Sequence, residues 1–231
     1  MIRFMKKVVF LLLAASVCIC SNAAEYGRDR YELSVSGVYG FNTTWRNYGG
    51  ATICGFLPVC KYFEADADVV ALSSGTFSCS ATARPKYSLP VGDIFLDGTV
   101  HYRSLYKYSA SEIVAAASLG YRMDYFSIQA GIFFRTMMNI QKISEPLNIL
   151  YKLSFAVRPA SSSWNLGGGI TDYSPFEYER EYQPIFFLDG YYRISPHFRI
   201  NAEVSVKAAG MFHLVASFYG VRTSIGLSYI F

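Results

Sequence analysis

The last thirteen residues, 219–231, read YGVRTSIGLSYIF. Tyr219, Val221, Thr223, Ile225, Leu227, Tyr229 and Phe231 form one largely apolar face. Gly220, Arg222, Ser224, Gly226 and Ser228 form a small or polar face, interrupted only by Ile230. A period of two belongs to a β-strand, whose successive side chains point to opposite sides, here toward two different solvents. At ~3.4 Å per residue and a tilt near 45°, such a strand projects to roughly 30 Å, the thickness of a hydrocarbon core. Rings stand at both ends of its apolar face, where the interfacial girdles of a transmembrane barrel belong.

The composition agrees with a chain that has one face in lipid. It is 52% hydrophobic and 17% aromatic but only 16% charged, a high ring load and a low charge for a soluble domain. The formal charge is +4. Arg3, Lys6 and Lys7 carry three of those charges and are followed by an apolar run over 8–20 and the small residues Ser21-Asn22-Ala23-Ala24. This is the layout of a secretory signal peptide, expected to cover 1–24 and to leave 25–231 as the mature chain. The run is too short to span as a helix, and Val17 and Ile19 stand before Cys18 and Cys20, where a lipobox wants a small residue. With no apolar transmembrane helix elsewhere, the membrane-embedded structure open to this chain is a closed barrel. Without the leader the charge is +1, so there is no case for a nucleic-acid partner.

Alternation recurs along the chain. It is seen from Tyr31 to Tyr39, and then from Asp93 onward in six segments built on Ile94, Ile113, Phe126, Ile149, Phe186 and Phe198, with a glycine-rich segment at 164–170. A strand is also expected within 76–89, despite Pro85, which cannot donate to a ladder. Residues 42–74 read as one long extracellular loop. They contain Gly49-Gly50, Pro58 and the acidic alternation Glu64, Asp66, Asp68. The expected fold is all-β, a single up-and-down antiparallel transmembrane β-barrel of about ten strands with no soluble domain. Eight strands would require merging two of these, and twelve would require a membrane hairpin inside 43–75. A soluble β-sandwich or lipocalin would also alternate, but would not account for the leader, the lipid-length strands and the terminal rings together.

The inward faces collect a luminal charge network of Asp97, His101, Arg103, Glu112, Arg122, Lys152, Asp189, Arg193, Arg199, Glu203, Lys207 and Arg222, with Glu32, Arg135 and Arg158 beside it. These charges either pair with one another and hold the barrel shut, or line a narrow pore whose excess of bases gives a weak anion preference. His101 with Asp97 and Ser104 suggests a rim catalytic set, but Ser104 has the opposite parity, and nucleophilic catalysis needs base and hydroxyl in hydrogen-bond reach. Three histidines without paired spacing do not make a metal site, and no phosphate loop is present. No cofactor is expected. Cys54, Cys60 and Cys79 remain after the leader, an odd number. A Cys54–Cys60 disulfide is the first pairing to consider, although Cys79 could take either partner.

Ser224-x-Gly226-x-x-Tyr229-x-Phe231 resembles the C-terminal assembly signal of Gram-negative outer-membrane barrels. Together with the leader and the strands from Asp93 onward, it makes the mature chain similar to the small outer-membrane barrel domains of the OmpX-like, OmpA-like and PorT-like group. The resemblance implies an outer-membrane location, contact with outer-membrane lipid and lipopolysaccharide, and insertion by the barrel-assembly machinery. It does not imply an activity, because one fold hosts many functions. The expected function is a non-enzymatic structural or surface-interaction barrel, with any extracellular ligand held at loops 42–74 and 172–183. The alternatives are a narrow, weakly anion-preferring channel or, further off, an enzyme acting on lipid A or peptides.

Overall fold

The computed structural model describes residues 30–42, 46–105, 110–139, 148–158, 162–176, 183–209 and 217–231. The expected signal peptide lies outside the described residues. The strands are β1 (Glu32–Asn42), β2 (Arg46–Cys60), β3 (Phe63–Leu72), β4 (Thr76–Leu89), β5 (Gly92–Leu105) and β6 (Ala110–Arg122). They continue with β7 (Phe126–Asn139), β8 (Asn148–Val157), β9 (Trp164–Thr171), β10 (Ile185–Arg193), β11 (Phe198–Ala209) and β12 (Ser217–Ile230). Each pairs antiparallel with its neighbours in sequence, and β1 pairs with β12, placing Glu32 opposite Ile230 and closing the sheet. Closure leaves no edge strand unpaired.

The barrel therefore has twelve strands, not ten. The added hairpin is β2–β3, inside the stretch read mainly as a loop, where the twelve-strand alternative required it. It is disguised for a physical reason. On β3 the lipid face is Ala65, Ala67, Val69 and Ala71, mostly small, while Glu64, Asp66 and Asp68 point inward and are buried. The alternation is intact but carries little hydropathy. On β2 the inward face holds Tyr48, Cys54 and Phe56, so both faces look apolar and the period is hidden. Pro85 lies within β4, and the β4–β5 ladder skips Arg84 and Pro85, as a residue without an N–H requires.

Elsewhere the two faces separate cleanly. Val35, Leu96, Leu119, Ile132, Leu153, Leu188 and Ile225 are exposed on the outside, while Ser34, Asp97, Arg122, Gln129, Ser154 and Arg222 are buried inside. Short turns join β2 to β3 and β4 to β5 at the end that holds the start of β1 and the end of β12, and longer connections such as 172–184 lie at the other end. Outer-membrane barrels put their short turns in the periplasm. At the far end Gly75 closes the β3–β4 turn with φ 82 and donates its N–H to the Leu72 carbonyl over 3.0 Å. A side chain there would strain the backbone.

The Cys54–Cys60 disulfide is not formed, and Cys60 and Cys79 are free thiols. Cys54 and Cys60 are six residues apart on one extended strand, hence ~20 Å apart at ~3.4 Å per residue. A disulfide needs Cα atoms within about 7 Å.

Candidate functional site: the barrel lumen

Charged side chains pair across the interior in several groups. Toward the short-turn end, Glu64 of β3 is held by Arg84 (3.4 Å), Arg122 (3.3 Å) and Lys86. Arg84 also binds Asp97 with its Nε over 2.6 Å and Asp66 over 3.2 Å. The Phe95 ring lies under the Arg122 and Arg84 guanidinium groups, at 4.9 and 5.6 Å from its centroid. Gly120 makes room for that ring, since a Cβ there would come within 2.0 Å of it. At the same end Arg199 pairs with Glu32 over 2.5 Å. Toward the loop end Glu112 accepts from Arg103 over 2.8 Å and from Arg135 over 2.9 Å, all three fully buried. Removing one member of such a buried set costs about 3–5 kcal/mol, because a charge is left uncompensated.

The connection after β9 does not stay outside. Tyr173, Ser174 and Phe176 are buried within the barrel. Arg103 Nη1 donates to the Ser174 carbonyl over 2.7 Å, and Ser78 Oγ donates to the Pro175 carbonyl over 3.3 Å. The Phe176 ring packs with Val38, Tyr48, Val70 and Leu72, under the Arg222 guanidinium at 3.9 Å. Tyr173 packs with Val114, Phe133 and Leu150, and its centroid is 5.3 Å from those of His101 and Phe133. The segment thus touches β1 to β8 and β12, which spans the bore. Asp172 anchors it where it leaves the strand by accepting the Tyr151 N–H over 2.7 Å. Burial pushes the Asp172 carboxyl and the Tyr173 hydroxyl above their ordinary ranges.

Between this segment and the Arg84 cluster lies a cavity of about 180 Å³. Its charged lining is Asp66, Asp68, Asp97, Asp189 and Glu203 against Arg84, Lys152 and Arg222, with His101 at the wall. Ser80 donates to Asp68, Arg222 pairs with Glu203, and Gln129 Nε2 donates to Asp97 Oδ2 over 2.7 Å. A barrel of this strand number falls between the eight-stranded barrels that side chains fill and the wide porins that hold water.

Most of the charged residues singled out from the sequence lie on this interior, on eight different strands. Arg193 is exposed at the end of β10, outside the network, and Arg158 lies past the end of β8. Lys207 is buried near the loop end of β11. His101 faces the Tyr173 ring rather than a hydroxyl nucleophile, and Asp97 is committed to Arg84 and Gln129. Ser224 and Gly226 face inward on β12. Tyr229 lies outward in ring contact with Phe198 (5.1 Å), Phe231 (4.8 Å) and His197 (6.0 Å). Sequence reasoning missed the β3 acids and the inward course of 172–176. The available signals were the Glu-x-Asp-x-Asp period and the rings Tyr173 and Phe176 flanking Ser174-Pro175.

No protein-family model and no curated protein sequence matches this chain. Solved structures do match it in fold. The KdgM porin, solved in complex with disordered oligogalacturonate, is 12% identical, with 86% of this chain and 99% of that one covered and a TM-score of 0.56. The NanC porin is 8% identical, with 85% and 98% covered and a TM-score of 0.59. The translocator domain of the autotransporter NalP from Neisseria meningitidis is 11% identical, with 90% of each chain covered and a TM-score of 0.56. At such identities the likeness is one of fold. It supports a small outer-membrane barrel but gives no support to the OmpX-like, OmpA-like or PorT-like grouping. Closed lipid-length strands, an apolar outer belt and this fold together make the chain a β-barrel of the outer membrane.

Proposed function

We propose that this protein is a narrow channel for small polar solutes, closed by the inward segment 172–176. The observation that carries this reading is the polar cavity in the bore, capped by Tyr173, Pro175 and Phe176. A barrel serving only as scaffold or surface display has no need of a hydrated chamber behind a separate cap. The surface-interaction reading keeps less surface, because 46–60 and 63–72 are barrel wall and Tyr173 and Phe176 are buried in the lumen; 43–45 and 177–182 of its expected loops lie outside the described residues. An anion preference has no basis in the chamber, where Glu203 and the aspartates outnumber the cations; the β3 acids remove the excess of base. Insertion by the barrel-assembly machinery through Ser224, Gly226, Tyr229 and Phe231 is part of the same proposal.

The test is planar-bilayer recording of the wild type beside a variant with Tyr173–Ser174–Pro175–Phe176 replaced by Gly and Ser. The wild type should show small, infrequent steps. The variant should keep its heat-modifiable mobility and show several-fold greater conductance. Two folded proteins that both fail to conduct would overturn the reading.

A further inference from the structure

Two opposite charges in the chamber have no ion pair with each other or with any other described residue. Lys152 of β8 is half-buried and lines the cavity, and it feels the fields of Asp97, Asp189 and Asp66 without a carboxylate within 4 Å. Asp189 of β10 also lines the cavity, with its Oδ1 buried and without a hydrogen-bond partner among the described residues. On β9 between them, Thr171 lies opposite Lys152 and Gly167 opposite Asp189, and the intervening inward position, Gly169, carries no side chain. The hydroxyl of Tyr173, itself 7% exposed, also lines the cavity and has no hydrogen-bond partner among the described residues.

Every other charge on the chamber wall has a partner. Arg84 is matched by Asp97, Asp66 and Glu64, and Arg222 by Glu203. Asp68 accepts from Ser80. Among the described residues the wall therefore neutralises itself except at Lys152, Asp189 and Asp68, and Asp68 already has the Ser80 hydroxyl. A buried charge without a counterpart is costly, and in the empty chamber water must solvate Lys152 and Asp189. The cavity has room for several waters or for one small solute. An anion alone would satisfy Lys152 and leave Asp189 bare among other carboxylates, and a cation alone would do the reverse. A neutral polyol would hydrogen-bond to both but neutralise neither.

We infer that the chamber is a binding site for a small zwitterion, with its ammonium on Asp189 and its carboxylate on Lys152 and the Tyr173 hydroxyl. This inference names a solute class for the proposed channel and rests on that reading for access to the lumen.

The experiment is equilibrium binding of radiolabelled L-alanine to the detergent-purified, heat-modifiable barrel, with propionate, ethylamine and glycerol as competitors. L-alanine should bind saturably. Propionate and ethylamine should each compete at least tenfold more weakly than unlabelled alanine, and glycerol not at all. Asp189→Asn and Lys152→Met should each weaken alanine binding at least tenfold, while Arg193→Gln, at the exposed end of β10, should not. Absence of saturable binding, or propionate or ethylamine competing as well as alanine, would overturn the site, and both comparisons need only the wild-type protein. Conductance without alanine binding would overturn the site and leave the channel. Alanine binding without conductance in either protein of the bilayer test would leave the site and overturn the channel.

Discussion

Arg103 of β5 donates to the carbonyl oxygen of Ser174 over 2.7 Å, joining the barrel wall to a segment that crosses its bore. The guanidinium is itself fixed, because its Nη2 is held by both oxygens of Glu112, at 2.9 and 2.8 Å. A hydrogen bond from a charged donor contributes about 1.5–3 kcal/mol. Arg103 is thus a latch whose loss should release the cap before it harms the wall, since Glu112 keeps Arg135.

Arg103→Met should raise the open probability of the channel about tenfold or more, each ~1.4 kcal/mol being a factor of ten. Single-channel recording measures this directly. The folded, heat-modifiable band should persist, shifted to a lower melting temperature by the partial loss of charge around Glu112. An unchanged open probability would mean that packing of Phe176 and Tyr173, not the latch, holds the segment in place.

The β2–β3 hairpin has a sharp test at Ala67, which faces lipid in mid-strand opposite Gly55 and Ala81. An arginine at the bilayer midplane costs about 2–4 kcal/mol in a transmembrane barrel. Ala67→Arg should therefore deplete the heat-modifiable fraction. Ser73→Arg, in the exposed β3–β4 turn, should stay within about 1 kcal/mol of the wild type, as exposed substitutions usually do. Equal, silent behaviour of the two variants would return 63–72 to a loop.

At the chain's end, Tyr229 makes ring contacts with Phe198 and Phe231, each such pair adding about 0.5–1.5 kcal/mol. Stability and recognition at assembly can be separated here. Replacing Tyr229 and Phe231 together by serine should cut the assembled yield several-fold and leave periplasmic aggregate. Phe198→Ala, which removes a ring contact but keeps the terminal pattern, should lower the melting temperature with near-normal yield. Equal yields for the two variants would reduce the terminal rings to packing alone.

Much of this protein could be read from alternation. Side-chain direction in a strand follows from local geometry, so Asp97, Arg122, Lys152, Asp189 and Glu203 fall inside and Leu96, Ile132 and Ile225 outside without reference to any other strand. The hairpin β2–β3 stood only as an alternative because its parity carries little hydropathy: Ala65 and Ala67 are adequate lipid contacts in a closed wall, though weak signals by themselves. Three further features were decided by tertiary structure alone. Which charges pair depends on strands far apart in sequence, as when Arg122 of β6 reaches Glu64 of β3. Whether a ring-rich connection faces solvent or folds into the bore depends on a cleft that exists only once the barrel has closed; Phe176 finds Val38, Tyr48, Val70 and Leu72 there, residues drawn from three strands. And Lys152 and Asp189 become an unmatched pair only after every neighbour has taken its partner. Alternation is a property of each strand taken singly, but the contents of the lumen belong to the closed sheet.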